Sequence, residues 1–413
     1  MVEAASQIDI LNLLLVLALA WVGGALAERI GYPAMMGELV VGLVFGPPIL
    51  GLLQPSTTLD VLAQLGVFLL MVYVGMEVDL DDLFELGPQA LIVAVGAFVI
   101  PFGLGYAAGV FTIATVEGAL FLGLAMAATS LATKSRILVD LDILDTRIAG
   151  ILLGGALVSD VGVLVAFAGV LGFIQAGSVD PTTIGVIVAK AIAFFAITLF
   201  IGYRFLPYVW SRFESLRQRY GFVDKTSAFS IALLVALVFA ELAHLAGLHM
   251  IIGGFMAGLF LRQADLHDPL YEHMHDVIYD LAIGFFAPIF FVTVAFQITL
   301  DVFTQNLGLL VLLIGTAFVG KIIGSWLFAL PTKLTSREGL VIGFGMNGRG
   351  TVEIIIASIG LSAGIIDQGL FSILVFIAMF TTSLVPVTVK WGVEWLARAD
   401  ELVYTRESAE VAD

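Results

Sequence analysis

Cysteine is absent from all 413 residues, which excludes disulfides, thiolate metal sites and thiol nucleophiles. Charge is scarce: only 13% of residues are Asp, Glu, Lys or Arg, where a soluble domain carries about 25%. The 18 basic residues face 34 acidic ones, and the resulting net charge of −16 excludes a nucleic-acid-binding surface. No nucleophile constellation or glycine fingerprint after a strand occurs, so neither an enzyme nor a bound cofactor is expected. With six lysines in the whole chain, any lysine inside an apolar run stands out.

Apolar residues dominate what is present. They make up 60% of the chain, and the mean hydropathy is +1.08, which implies an all-α polytopic membrane protein. Crossing about 30 Å of hydrocarbon takes roughly 20 apolar residues. The sequence predicts about thirteen such spans, near 8–28, 33–53, 60–78, 88–114, 117–139, 147–176, 182–210, 226–246, 249–263, 278–300, 305–330, 338–360 and 367–396.

Basic residues partition between alternate connections. One set carries Arg29; Lys134, Arg136 and Arg147; Arg204 to Lys225; Arg262; Lys333 and Arg337; and Lys390, Arg398 and Arg406, whereas the other carries none. This partition predicts an outside N-terminus and a cytoplasmic C-terminus. Met1 to Ile10 is acidic, without a basic region, so the first span is read as retained rather than as a signal peptide.

The two halves share the spacing GxxxxxGxxxxGL, in Gly31, Gly37, Gly42 and Leu43 and again in Gly247, Gly253, Gly258 and Leu259. Repeats at about 8–176 and 226–396, joined by a linker helix at 182–210, enter the membrane from opposite faces. Such inverted repeats place a site near mid-membrane at interrupted helices. Two spans lose hydrophobicity at matching places, in Ala127-Ala128-Thr129-Ser130-Leu131-Ala132-Thr133-Lys134-Ser135 and in Gly343-Phe344-Gly345-Met346-Asn347-Gly348-Arg349-Gly350-Thr351. Freed backbone groups at such breaks must face protein or water. Crossed discontinuous helices are therefore expected.

Ionisable residues inside apolar spans mark function or pairing. Asp160, in Val158-Ser159-Asp160-Val161, lies about a dozen residues into its span. A lone carboxylate there needs a proton, a cation or a positive partner, which makes it an ion switch or half of a buried pair. Lys321 balances Asp160, offsets helix-end charge at the breaks or carries a proton. Arg349 anchors terminal carbonyls or a carboxylate, and Glu353 is its partner at i, i+4. His267, His273 and His275 fall in an acidic segment read as a solvated loop.

In order and spacing, Gly31-Tyr32-Pro33, Gly37-Glu38-Leu39, Gly46-Pro47, Gly75-Met76-Glu77-Val78-Asp79, Ala127-Ala128-Thr129-Ser130, Pro288-Ile289-Phe290-Phe291, Gly320-Lys321 and Gly345-Met346-Asn347-Gly348-Arg349-Gly350 run through nearly the whole chain. Together they resemble the second superfamily of monovalent cation:proton antiporters, which includes Kef-type and NapA-type members. The resemblance implies a homodimer in which a core domain moves against a fixed scaffold. It also implies an ion site at Asp160, Ser159, Thr129 and Ser130, with charge compensation by Lys321, Arg349, Glu353 and Asn347. No metal other than the transported alkali cation is implied.

Where electrogenic members carry two adjacent aspartates, this chain has Ser159-Asp160. Without the second carboxylate, exchange of one Na+ or K+ for one proton is expected. The reading is a prokaryotic plasma-membrane antiporter in a single transmembrane domain, 1–400, with an acidic cytoplasmic tail, 401–413. Nucleotide gating within this polypeptide is not expected, and a separate cytosolic regulatory subunit stays open. The rivals are a ligand-gated potassium efflux channel and an organic-anion symporter of related fold.

Overall fold

The computed structural model describes residues 9–78, 87–113, 115–176, 225–262 and 269–404, with scattered positions between 189 and 200. The linker helix expected at 182–210, Lys190, His267 and most of the acidic tail lie largely or wholly outside the described residues.

Among the described residues the chain is helical, with one isolated antiparallel bridge between Thr146 and Tyr404. In order, the helices are α1 (Ile10–Arg29), α2 (Ala34–Phe45), α3 (Thr57–Glu77), α4 (Pro88–Thr112), α5 (Val116–Ala127), α6 (Leu131–Asp140), α7 (Arg147–Ala176), α8 (Lys225–Leu245), α9 (Met250–Arg262), α10 (Pro269–Tyr279), α11 (Ala287–Phe296), α12 (Leu307–Ala329), α13 (Ser336–Met346), α14 (Thr351–Ser362) and α15 (Gln368–Arg398). A π-helical stretch, Asp280–Phe286, joins α10 to α11, and a 3-10 turn, Leu300–Phe303, precedes α12. Pro288 follows the widened stretch and has no N–H to return to the preceding turn.

Local chemistry sets several boundaries. Ser56, Thr115 and Asp367 accept hydrogen bonds from Leu59, Gly118 and Leu370 at the starts of α3, α5 and α15. Thr335 and Glu338 form a reciprocal capping box at α13. Gly31 and Gly247, matched in the repeat spacing, both hold positive φ (85° and 78°) just before α2 and α9. That conformation favours glycine because it has no Cβ.

Among the described residues, seven helices are long and apolar enough to cross a membrane, and α13 with α14, bent by 52° at their break, makes an eighth; four shorter apolar helices lie within α2, α5, α8 and α9. Two predicted spans change their bounds. The stretch at 33–53 is helical only over Ala34–Phe45, because Gly46, Pro47 and Pro48 end the helix. The stretch at 278–300 begins at Pro269 and ends at Phe296. His273 and His275 therefore sit on α10, not in an aqueous loop. His275 Nε2 lies 3.1 Å from Glu77 Oε1, and its ring meets Tyr73 and Tyr271. No group of metal-binding side chains occurs among the described residues.

The chain divides into two compact units that each take helices from both halves. The first holds most of α1 and α2, then α3, α8, α9, α10 and α11. There Gly75 of α3 faces the backbone of Phe255, and Gly258 of α9 faces that of Val72. The second holds α4 to α6, most of α7, and α12 to α15.

In the second unit Gly96 of α4 and Gly324 of α12 press against each other's carbonyls. Small residues permit this backbone approach within a membrane. A side chain there meets backbone, which no rotamer relieves. Gly96→Val is expected to destabilise the protein by roughly 1–3 kcal/mol or more; an unchanged melting temperature in detergent would contradict this packing.

Candidate functional site

The site is built where two interrupted helices of the second unit meet. Helix α5 ends at Ala127 and α6 begins at Leu131, leaving Ala128, Thr129 and Ser130 outside the helices, with Ser130 extended. Helix α13 ends at Met346 and α14 begins at Thr351, leaving Asn347 to Gly350 between them. Thr129, Asn347 and Arg349 are buried, so the freed backbone groups must find partners within the protein.

Each break supplies partners for the other. Ser130 donates its N–H to the Gly348 carbonyl at 2.9 Å. Thr129 Oγ1 lies 3.0 Å from the Met346 carbonyl and 2.9 Å from that of Gly348. Thr133 Oγ1 donates to the Arg349 carbonyl at 3.3 Å. Thr382 of α15 closes the far side, accepting from Arg349 N at 2.9 Å. A Cβ on Gly350 would come within 2.5 Å of Ser130 Oγ and 2.6 Å of its Cβ, so this position has room only for glycine.

Positive side chains meet the exposed helix ends. The Arg349 guanidinium donates to the carbonyls of Ala125 (2.9 Å) and Met126 (3.1 Å), and the Lys321 ammonium donates to that of Ala127. Three carbonyls in the last turn of α5 are thus capped by cations from the second half of the chain, as the dipole of a helix C-terminus favours. Arg349 also donates to Glu353 Oε1 at 2.9 Å, with both side chains at 1% exposure or less. The Lys321 ammonium therefore lies at the end of α5, and the Arg349 guanidinium contacts both terminal carbonyls and a carboxylate.

Lys134 requires a correction. The sequence placed it among the loop charges, yet it is 1% exposed in the first turn of α6. Its ammonium donates to Thr129 Oγ1, to the Ser130 carbonyl at 2.9 Å and, at the limit of hydrogen bonding, to the Gly348 carbonyl at 3.5 Å. Its place four residues after Ser130, on the helix that leaves the break, was the available signal. Charge counting alone did not use it.

Asp160 sits in the middle of α7 at 6% exposure. The Leu131 N–H at the start of α6 bonds to the carboxylate, which lies within electrostatic reach of Lys134 and Lys321. Its Oδ1 has no hydrogen-bond partner, nor do Ser159 Oγ, Asn347 Oδ1, Glu353 Oε2 and Ser325 Oγ. Buried oxygens left unpaired are costly. Hard oxygen donors of this kind suit an alkali cation or a proton. Asn347 Nδ2 is spent on the Gly343 carbonyl at 3.0 Å.

The second unit thus contains every predicted site residue: Thr129, Ser130, Ser159, Asp160, Lys321, Asn347, Arg349 and Glu353. Sequence reasoning did not single out Lys134, Thr133, Thr382 or Ser325. Arg147, counted only as a loop charge, donates from Nε (3.0 Å) and Nη2 (2.6 and 2.7 Å) to the carboxylate of buried Glu338, which joins α7 to α13. Glu401, just beyond α15, is bonded to Thr335 and Arg337 at the start of α13.

A family model described as sodium/hydrogen exchanger, transmembrane, matches residues 14–395. The Na(+)/H(+)-K(+) antiporter GerN of Bacillus cereus is 32% identical over 378 residues, covering 91% of this chain and 94% of the relative. The Na(+)/H(+) antiporter of Enterococcus hirae is 27% identical, covering 92% and 96%. The sodium proton antiporter MjNhaP1 of Methanocaldococcus jannaschii has the same fold, with a TM-score of 0.62 at 19% identity over 92% of this chain and 94% of that one.

Proposed function

Because the chain belongs to the sodium/hydrogen exchanger family, we propose that it exchanges a monovalent alkali cation, Na+ or K+, for a proton at Asp160. The observation that carries this reading is a carboxylate oxygen without a partner, buried within a membrane span beside the crossing of two interrupted helices. Ser159, Thr129, Ser130 and nearby carbonyls supply further oxygens. Lys321, Arg349, Glu353 and Asn347 hold the crossing and balance its charge. A proton and a cation compete for one carboxylate, so binding of either releases the other, and the loaded unit crosses once its charge is neutralised.

The seven long spans, the bent pair, the four shorter apolar helices and the linker at 182–210 add to the proposed thirteen. Matching breaks and the matching positive-φ glycines support two inverted repeats. The proposal includes an outside N-terminus, a cytoplasmic C-terminus, a prokaryotic plasma membrane and a homodimer in which the first unit is the scaffold and the second the moving core. A separate regulatory subunit is compatible with it.

Ser159 in place of a second carboxylate favours electroneutral exchange of one cation for one proton. In proteoliposomes carrying a pH-sensitive dye, Na+ or K+ but not choline is expected to dissipate an imposed pH gradient. The rate should not respond to an imposed voltage. Silence toward every alkali cation would overturn the antiport reading; a rate that follows voltage would overturn electroneutrality.

A further inference from the structure

Lys134 and Lys321 are both buried near Asp160, but their ammonium groups do different things. Lys321 ends on one carbonyl, that of Ala127 at the end of α5. Lys134 reaches Thr129 Oγ1 and the carbonyls of Ser130 and Gly348, so its ammonium is gathered by oxygens of both breaks. An ammonium and an alkali cation are the same kind of guest for such oxygens, each a compact positive charge that replaces lost hydration with carbonyl and hydroxyl dipoles.

The surrounding charges sharpen the comparison. Among the described residues, those that face this region are Asp160 from α7, Lys321 from α12, Arg349 from the break before α14, and Glu353 from α14. Arg349 and Glu353 are paired with each other. That leaves one carboxylate facing two ammonium groups, so a cation arriving at Asp160 enters a region where the carboxylate's counter-charge is already supplied. It also finds the oxygens of Thr129, Ser130 and Gly348 taken.

We propose that Lys134 is a tethered cation: its ammonium holds the oxygens at the crossing that a dehydrated alkali ion uses, and so sets a low affinity for the transported ion. Entry of the ion requires the lysine side chain to withdraw, and its return helps to expel the ion on the other side. This inference rests on the antiport reading for its place in the cycle, while its effect on cation binding is separable from transport.

Two measurements on purified protein test it, thermal stabilisation by Na+ or K+ against choline in detergent, and cation-dependent proton flux in proteoliposomes. Lys134→Met removes the charge and keeps the length. It is expected to lower both the half-stabilising concentration and the apparent KM for the cation by at least about tenfold. Lys134→Arg keeps the charge and is expected to leave both at or above the wild-type values.

The opposite pattern, in which Met leaves the apparent affinity unchanged or weaker and Arg restores the wild type, would make Lys134 only a cap on the end of α13. If Lys134→Met does not fold, Lys134→Gln takes its place, and failure of both to fold overturns the proposal in favour of that structural role. A stronger cation effect in Lys134→Met, in a protein that shows no flux in any form, would sustain the tethered cation and overturn antiport. Absence of cation-specific stabilisation in both wild type and variant overturns the tethered cation whatever the flux shows.

Discussion

Replacing Asp160 by Asn is expected to reduce cation-dependent proton flux to that of protein-free liposomes. Asn has the same shape and keeps an oxygen for the Leu131 N–H that bonds Asp160. It cannot take up a proton or neutralise an alkali cation. Oδ1 already lacks a partner in the wild type, so the substitution removes no hydrogen bond from that atom. The variant should therefore fold and reconstitute while losing both stabilisation by Na+ or K+ and all exchange. Retained flux would remove Asp160 from the centre of the mechanism. Loss of flux with normal cation stabilisation would move the ion site elsewhere and leave Asp160 as a proton carrier.

The second large effect is expected at Arg349. Its guanidinium joins the end of α5 to the start of α14 through two carbonyls and Glu353, with no exposed surface. Arg349→Met strands the Glu353 carboxylate and uncovers the Ala125 and Met126 carbonyls. Breaking a buried pair on one side costs about 3–5 kcal/mol. A melting temperature well below wild type and little folded protein after membrane extraction are expected.

The double variant Arg349→Met with Glu353→Gln should recover part of the loss, because it removes the stranded charge but leaves the helix end uncapped. A single variant as stable as wild type would show that the pair does not hold the crossing. A double variant no better than the single would place the cost in the carbonyl caps.

Most of the predicted spans within the described residues, the two breaks and the pairing of Arg349 with Glu353 were legible in the sequence because each depends on nearby residues. Hydropathy accumulates along one helix, a break shows as a local fall in it, and an i, i+4 pair is a property of helical pitch. The destination of Lys134 was not legible. Its nearest sequence neighbours include Arg136 and polar residues, the pattern of a loop charge, and only contact with Gly348, 214 positions away, reveals an ammonium bound by both breaks. His273 and His275 were misplaced for a related reason. Their acidic, histidine-rich surroundings resemble a solvated loop, yet α10 runs on without a gap through the π-helical stretch into α11.

From the sequence alone come the membrane class, the positions of most spans, the isolated carboxylate at Asp160 and the chain's membership of an exchanger family, since composition and motif order are carried by the chain itself. Tertiary structure decided which charges meet. It turned Lys321 toward a helix end and Lys134 toward the crossing, because carbonyls freed at one break are satisfied by side chains and N–H groups from the other half of the chain, and no local pattern encodes that exchange.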